Sequence, residues 1–541
     1  MSTQSATATI TRTVTVGAGV YAPGHLGELT QYLPFEVIDD VLEQTGTTQR
    51  RLRDLPSRVG VYFTLALGLF PGLGYARVWR KLTAGLAGAS VACPSEKALR
   101  DLRRRLGPAP MQALFEVVAG PLAQPYTPGV RFRRLRTVAF DGCSSIKVPD
   151  TDRNRSWLGR IKYRMGWAGY PTLRLMTLVE TGTRALLGAT LGSAGDRDEA
   201  TQARRLLSLL GPDMLLLLDR GFDGSAFFAE VAATGASLLA RIKSTRNPPV
   251  LAHLPDGSYL SYMDGLQVRI VEADLTVTGA DGSRIGERYR LVTTLLDHRR
   301  FPAADLISLY HERWEIESAY LALRHTLLDG HVLRSGDQPG LEQEVWALLT
   351  LYQLLRMAMV TAVETRPGTN PDRASFTTAH EAAREELTAA RGICPDGPAD
   401  LPGVIGRAVL ATLLPKRRLR FSARKVKCAT SRYLNRDDGR PATSTAITAI
   451  DIAVRTPPID RRRRKTRHDP DTPRPPQPVT RRHRIVAIMS ADPGRGWTGK
   501  ELAQQLQVPP RNILTQLAEW TRLGFLARTG AGIYTIAAGP P

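Results

Sequence analysis

The chain has 541 residues, of which 43% are hydrophobic, so a large core can be buried, and at roughly 100–200 residues per domain about three to five domains are expected. Its 73 Lys and Arg outweigh 51 Asp and Glu to give +22, a surplus that draws polyanions, nucleic acid first among them, although ribosomal and membrane-surface proteins are also basic. Cysteines 93, 143, 394 and 428 never fall at CxxC spacing, which excludes a zinc ribbon and a disulfide framework and fits a reducing compartment.

Residues 1–22, rich in Thr, Ser and Val, read as a flexible leader without the basic start and apolar block of a signal peptide. The apolar stretch Val61–Phe70 is too short to span a bilayer, so a soluble protein without a membrane partner is expected. Residues 23–128 are predicted helical: Val37, Ile38, Val41 and Leu42 recur at helical spacing, Val59–Phe70 forms an apolar helix, and Ser95–Leu106 another. Arg100, Arg103, Arg104 and Arg105 on that last helix suit either DNA contact or a solvated face.

From about Arg131 the texture changes. Leu135–Phe140 is predicted as a strand ending on Asp141, Thr172–Glu180 and Ala185–Leu191 as a hairpin, and Asp198–Leu210 as a helix. Met214–Leu218, wholly apolar, reads as a buried central strand ending on Asp219. Helix Ala226–Ala233 and strand Ser237–Ile242 follow. Strand, hairpin, helix, strand, helix, strand is the order of a ribonuclease-H-like mixed α/β layer. Residues 244–300 alternate in hydropathy around turns at Asp256-Gly257 and Asp281-Gly282 and read as an inserted β subdomain. A helix from Pro302 to about Leu328 and the apolar helices Glu342–Val363 and Phe376–Ala390 complete the pattern. The domains expected are thus the leader, the helical region 23–128, a core at 129–365 and a helical and basic region at 366–455. A Pro/Arg-rich linker at 456–482 leads to a small domain at 483–541.

Asp141 and Asp219 each close an apolar strand, where side chains project into the crevice that open α/β sheets use for ligands. Either could equally cap a turn. Glu317 lies on the helix after the insertion, 98 residues beyond Asp219. Two strand-end acids and one helical acid can hold two magnesium ions about 3.5–4 Å apart. Around Glu317, Tyr310, Arg313, Glu317 and Arg324 stand at offsets 0, 3, 7 and 14. At about 100° per residue they form one stripe roughly 21 Å long.

That segment resembles the Tyr-x2-Arg-x3-Glu-x6-Lys signature of bacterial transposases of the insertion-sequence-4 type. Asp141-Gly142-Cys143, Pro149-Asp150-Thr151 with Asn154 and Gly159, and Gly169-Tyr170-Pro171 with Arg174 are similar to further motifs of that family. So are Leu217–Phe222, Leu333-Arg334-Ser335, Gln343-Glu344 and Tyr32-Leu33-Pro34-Phe35. The resemblance, over about residues 25 to 365, implies a ribonuclease-H-like core with a β insertion. It implies Asp141, Asp219 and Glu317 as catalytic ligands of two Mg2+, with Mn2+ as a substitute. Tyr310, Arg313 and Arg324, with Arg220 and Arg334, would hold DNA phosphates. Cys143 stands where the family has Thr, and Arg324 where it has Lys. Some relatives stack a flipped base on a Trp in the insertion; residues 244–300 hold none, and core roles are expected for Tyr259, Tyr262 and Tyr289.

In the tail, Ile485–Met489, a helix opening at Thr498, Pro509–Leu523 and a hairpin at Leu526–Ile536 follow a winged helix-turn-helix order. Arg511, Asn512, Thr515 and Gln516 would then face a major groove, unless the module binds protein. The expected function is metal-dependent cleavage at the ends of an insertion element and strand transfer into target DNA, cut-and-paste, by a cytoplasmic, nucleoid-associated enzyme. Its partners would be double-stranded terminal inverted repeats, target DNA and a second protomer. A regulatory DNA-binding protein with an idle core, or a structure-specific nuclease on the same fold, are the alternatives.

Overall fold

The computed structural model describes residues 24–51, 55–86, 91–160, 167–193, 198–312, 322–390, 402–415, 445–457, 484–492, 494–508 and parts of 513–536, with the backbone of a few short stretches elsewhere. The leader lies outside these residues except for the backbone of Thr15–Val16 and Gly19–Val20, and the linker outside them from 458 to 480. The chain divides into a unit ending at Asp460 and a second beginning at Arg461.

Helices α1 (Phe35–Gln44), α2 (Ser57–Leu69), α3 (Tyr75–Thr83), α4 (Glu96–Leu106) and α5 (Ala109–Val118) open the first unit. Ser95 caps α4 by accepting from Ala98 N, and Gly107 ends it at φ 68°, a left-handed position that suits glycine. Strand β1 (Leu135–Lys147) is followed by helix α6 (Asp152–Leu158), the hairpin β2 (Thr172–Glu180) and β3 (Leu186–Gly192), and helix α7 (Glu199–Arg204). Next come β4 (Met214–Leu218), α8 (Ser225–Ala233) and β5 (Ser237–Arg241). The strands lie in the order β5-β4-β1-β2-β3, with β5, β4 and β1 parallel and β2 and β3 antiparallel. This is a ribonuclease-H-like α/β core.

Both faces of the sheet are buried. Val138, Phe140, Leu216, Leu218, Leu238 and Ala240 pack on the α8 side, and Ala139, Leu215, Leu217 and Leu239 on the other. That explains why Met214–Leu218 is apolar without alternation. The second face is covered by α10 (Gln338–Glu364), whose numbering follows α9 (Ala303–Glu312). By length and composition α10 could cross a membrane, yet 89% of its apolar window is buried against α2, α5 and their neighbours, so it is the central core helix. Helices α11 (Phe376–Ala389) and α12 (Gly403–Ala411) pack on it.

The inserted strands β6 (Tyr259–Met263), β7 (Leu266–Gly279) and β8 (Arg284–Thr293) do not stand apart as a subdomain. Leu291–Thr293 pairs antiparallel with Leu239–Arg241, so the insertion continues the central sheet past β5. Strand β9 (Thr445–Arg455), which falls in the stretch read as helical and basic, pairs antiparallel with Glu272–Gly279 of β7. Its period-2 residues Ile450, Ile452 and Val454 face the core. Tyr259 and Tyr289 are buried as expected, but Tyr262 is 49% exposed, because its place on β6 turns it to the solvent face.

In the second unit, α13 (Arg481–Ser490), β10 (Trp497–Thr498), α14 (Gly499–Gln505), β11 (Leu526–Gly530) and β12 (Ile533–Ile536) enclose Ile485, Leu502, Ile513, Leu517 and Trp520. The strands order as β10-β12-β11. Thr498 and Glu501 form a reciprocal capping box that starts α14.

Candidate active site

The register of the central strands brings two acids together. Arg136–Ala139 of β1 pairs in parallel with Met214–Leu217 of β4. Continued two residues, the same register sets Asp141 beside Asp219, on the face that carries Ala139 and Leu217. Neighbouring strands are about 4.8 Å apart, so the two carboxylates rise side by side. The expectation that β1 ends on Asp141 is corrected here: the strand runs on to Lys147, because β2 continues to pair with it after β4 stops, with Thr177 opposite Asp141. Asp141 therefore stands where one neighbour ends and a crevice opens.

Asp219 is held by its own turn. Its Oδ1 accepts from Gly221 N at 2.7 Å, capping the 3-10 turn Arg220–Phe222. Behind it, buried Asp223 accepts from Lys243 N at 2.9 Å and pairs with Arg246 at 2.8 Å. Phe222 and Phe227 stack on each other, and Phe140 packs against both at a tilt.

A third carboxylate, absent from the expectations, enters from α7. An ideal Cβ on Gly142 would lie 2.8 Å from Glu199 Oε1. One on Gly221 would lie 2.9 Å from Asp219 Oδ1 and 3.2 Å from Glu199 Oε2, which puts those two oxygens no more than about 6 Å apart. Glu199 is exposed at the rim, yet the surrounding atoms, and then the Asp219 charge, raise its pKa. The available signal was an acid in the first turn of the helix that leads into β4.

Arg313 and Glu317 lie outside the described residues, as do Arg511, Asn512, Thr515 and Gln516. Among the described residues no three His, Cys, Asp or Glu side chains are gathered closely enough to hold a metal ion. Arg324 is half-buried in a π-helical turn, Ala322–Leu327, so a stripe drawn at 100° per residue does not carry through to it. Arg220 is exposed, 3.6 Å from Glu287.

Two expected phosphate ligands are turned inward. Tyr310 is buried, and its hydroxyl donates to the Leu218 carbonyl at 3.0 Å, bracing the strand end before Asp219. Arg334 donates to the carbonyls of Leu73, Phe70 and Pro71 at 2.7, 2.9 and 2.8 Å. Burial lowers its pKa, and its fork is committed to closing the loop after α2. Of the α4 arginines, Arg103 is buried too. It donates to Gln343 Oε1 at 2.9 Å and Glu344 Oε1 at 3.2 Å, while Glu344 Oε2 accepts from Arg334 N at 2.7 Å. The Leu333-Arg334-Ser335 and Gln343-Glu344 motifs thus fasten the core to the N-terminal helices.

The insertion fixes where α9 begins. Arg269 is fully buried, donating to Ser258 Oγ at 2.8 Å and Phe301 O at 2.7 Å and pairing with Asp256. Asp256 in turn accepts from Ala303 N at 2.9 Å, in the first turn of α9.

Comparison with known proteins supplies the family. Residues 23–116 match the insertion element 4 transposase N-terminal family and residues 134–354 the transposase DDE domain. The chain is 26% identical over 315 residues to the transposase InsG for insertion sequence element IS4 of Escherichia coli (strain K12), covering 56% of this chain and 69% of that protein. The chain belongs to the insertion-sequence-4 family of DDE transposases. As a DNA transposase it is an enzyme acting on DNA, and the family uses divalent metal ions. The boundary of the matched DDE domain at 354 falls inside α10, so in this transposase the domain shares its core helix with the region on its C-terminal side.

Proposed function

We propose that this transposase cleaves DNA at the ends of its element and joins them to target DNA in a cut-and-paste reaction, with Asp141, Asp219 and Glu317 holding two Mg2+. The observation that carries the reading is the common register of Asp141 and Asp219 on adjacent parallel strands, at the point where β4 ends. The donors are all carboxylate oxygens, the chemistry that suits hard divalent cations. Such ions, when bound, lower the pKa of the attacking water or 3′ hydroxyl and stabilise the leaving oxygen. The chain's own residues orient that centre. The Gly221 N–H fixes one oxygen of Asp219, Tyr310 braces the carbonyl before it, and Asp256 seats the helix that leads toward Glu317.

The separate second unit supports a winged helix reading, since two helices, a short strand and a closing hairpin share one core with the helical residues near 513–521. In this reading the tail adds affinity or reaches target DNA, the N-terminal helices read the element end, and two protomers hold the ends together. A chain ending near Thr456 should keep its specific footprint on an element end.

Asp141→Asn, Asp219→Asn and Glu317→Gln should each abolish strand cleavage of an element end while leaving DNA binding within about twofold, because the basic surfaces are untouched. Cleavage by Asp219→Asn at near wild-type rate would overturn the assignment.

A further inference from the structure

We propose that Tyr289, on the inserted strand β8, is a positioning residue for strand cleavage: it clamps the last turn of α9 and, through Tyr310, fixes the strand end that presents Asp219. The inference rests on the reading above that Asp219 serves the cleavage centre.

Register places the residue. Leu239 and Ala240 of β5 pair in parallel with Leu217 and Leu218 of β4, so one further step sets Arg241 beside Asp219. Arg241 pairs in turn with Leu291 of β8, and Tyr289 stands two residues before Leu291. Residues two apart on a strand share a face. Asp219, Arg241 and Tyr289 therefore rise from one side of the sheet, the side that carries Leu217, Leu239 and Leu291. Strand β8 is paired with β5 on one edge and with β7 on the other, which gives Tyr289 a stiff mount.

The contacts of the ring converge on the end of α9. Tyr289 is buried and meets Tyr310 edge to face, with centroids 5.8 Å apart and planes at 88°, a geometry that aromatic quadrupoles favour. Its hydroxyl lies 3.2 Å from Nδ1 of His311. The Arg241 guanidinium sits over the ring, 4.1 Å from its centroid, and donates to Glu287 Oε1 at 2.8 Å and the Arg288 carbonyl at 3.0 Å. A cation from β5 and two consecutive residues of α9 thus close on one side chain. Tyr310 then donates to the Leu218 carbonyl at 3.0 Å, in the peptide that joins Leu218 to Asp219. Glu287, two residues before Tyr289, lies 3.6 Å from Arg220. Strand β8 therefore reaches the residues on both sides of Asp219.

A ring that only filled the core would affect stability alone. A ring that sets the Leu218 carbonyl also sets the place of the Asp219 carboxylate, and a misplacement of 1 Å can cost about a hundredfold in rate. Basic surfaces that bind DNA are not involved, so rate and affinity should separate.

The test is single-turnover cleavage of an element end at saturating full-length protein, with affinity for the same DNA measured alongside. Tyr289→Leu removes ring and hydroxyl. Its cleavage rate should fall about tenfold or more while its affinity stays within about twofold of wild type. Tyr289→Phe keeps the ring and should lose about threefold, for the one bond to His311. Tyr310→Phe removes the donor to Leu218, and the Tyr289→Leu/Tyr310→Phe pair should cleave no more slowly than the slower single variant, since both act on one carbonyl. Cleavage by Tyr289→Leu within about twofold of wild type, a parallel loss of rate and affinity, or losses that multiply in the pair would each refute the positioning role. Were Tyr289→Leu not to fold, Tyr289→Phe would decide: a slower rate at unchanged affinity supports the role, and an unchanged rate overturns it. Asp219→Asn keeps the two readings apart. If it is inactive while Tyr289→Leu cleaves normally, the role of Tyr289 alone falls; if it cleaves normally, the catalytic reading of Asp219 fails and this inference with it.

Discussion

Arg269→Met tests whether the insertion does more than widen the sheet. Arg269 has no exposed surface, and its guanidinium serves Ser258 Oγ, Phe301 O, Leu295 O and the Asp256 carboxylate. Met approximates the volume but leaves two carbonyls, a hydroxyl and a carboxylate without their donor. Removing one partner of a buried ion pair costs about 3–5 kcal/mol. Asp256 keeps some solvent access and its bonds from Ser258 and Ala303 N, so the lower end applies, about 3 kcal/mol. That is roughly two powers of ten in the folded fraction. At about 2.1 cal/mol/K per residue, a first unit unfolding as one would melt roughly 3 °C lower. Because Asp256 also accepts from Ala303 N, the first turn of α9 should exchange its amide protons faster, and cleavage should fall more than binding. The Asp256→Asn/Arg269→Met pair should cost less than the sum of the single changes. The assays are urea unfolding and hydrogen exchange over 303–312. A loss below about 0.5 kcal/mol, with unchanged exchange at Ala303, would refute the reasoning.

Arg334→Ala should cost about 3 kcal/mol, since three carbonyls lose charged donors, yet leave the salt dependence of DNA binding unchanged. A log–log slope shallower by one phosphate would return Arg334 to the DNA. His25 is buried, with Nε2 2.6 Å from the Leu82 carbonyl and Nδ1 accepting from Gly27 N, and burial lowers its pKa to about 4. Between pH 6.5 and about 4 the unfolded chain binds the extra proton, so stability falls as pH falls through that window, by about 3 kcal/mol in total. Urea midpoints from pH 7 to 4 should therefore decline less steeply in His25→Gln than in wild type. Gly142→Ala should cost no more than about 0.5 kcal/mol in urea unfolding, because the new Cβ would meet the carboxylate end of the exposed Glu199 side chain, which can turn away. A loss above about 2 kcal/mol would show that this carboxylate is fixed in place.

Much was legible in the amino-acid order alone. Met214–Leu218, Thr172–Glu180 and the Thr498 cap read correctly because five apolar residues in a row, two apolar-rich runs around a Thr181-Gly182-Thr183 turn and an N-cap threonine are short-range signals. The order of the strands and the family motifs were enough to place Asp141 and Asp219 at neighbouring positions. Strand β9 was missed because its partner lies some 170 residues upstream in β7, and its alternation is visible only once that pairing is known. Whether a motif residue points outward or inward was also undecided by local pattern. Tyr310 and Arg334 satisfy backbone carbonyls 92 and about 260 residues away, and Arg103 meets Glu344 across 241. Composition, periodicity and turn chemistry act over a few residues, and they determined the elements and the kind of enzyme. The seat of Glu199 between two glycines, and the choice between a phosphate ligand and a buried strut, depend on contacts between distant segments, which exist only after the sheet has closed on its core.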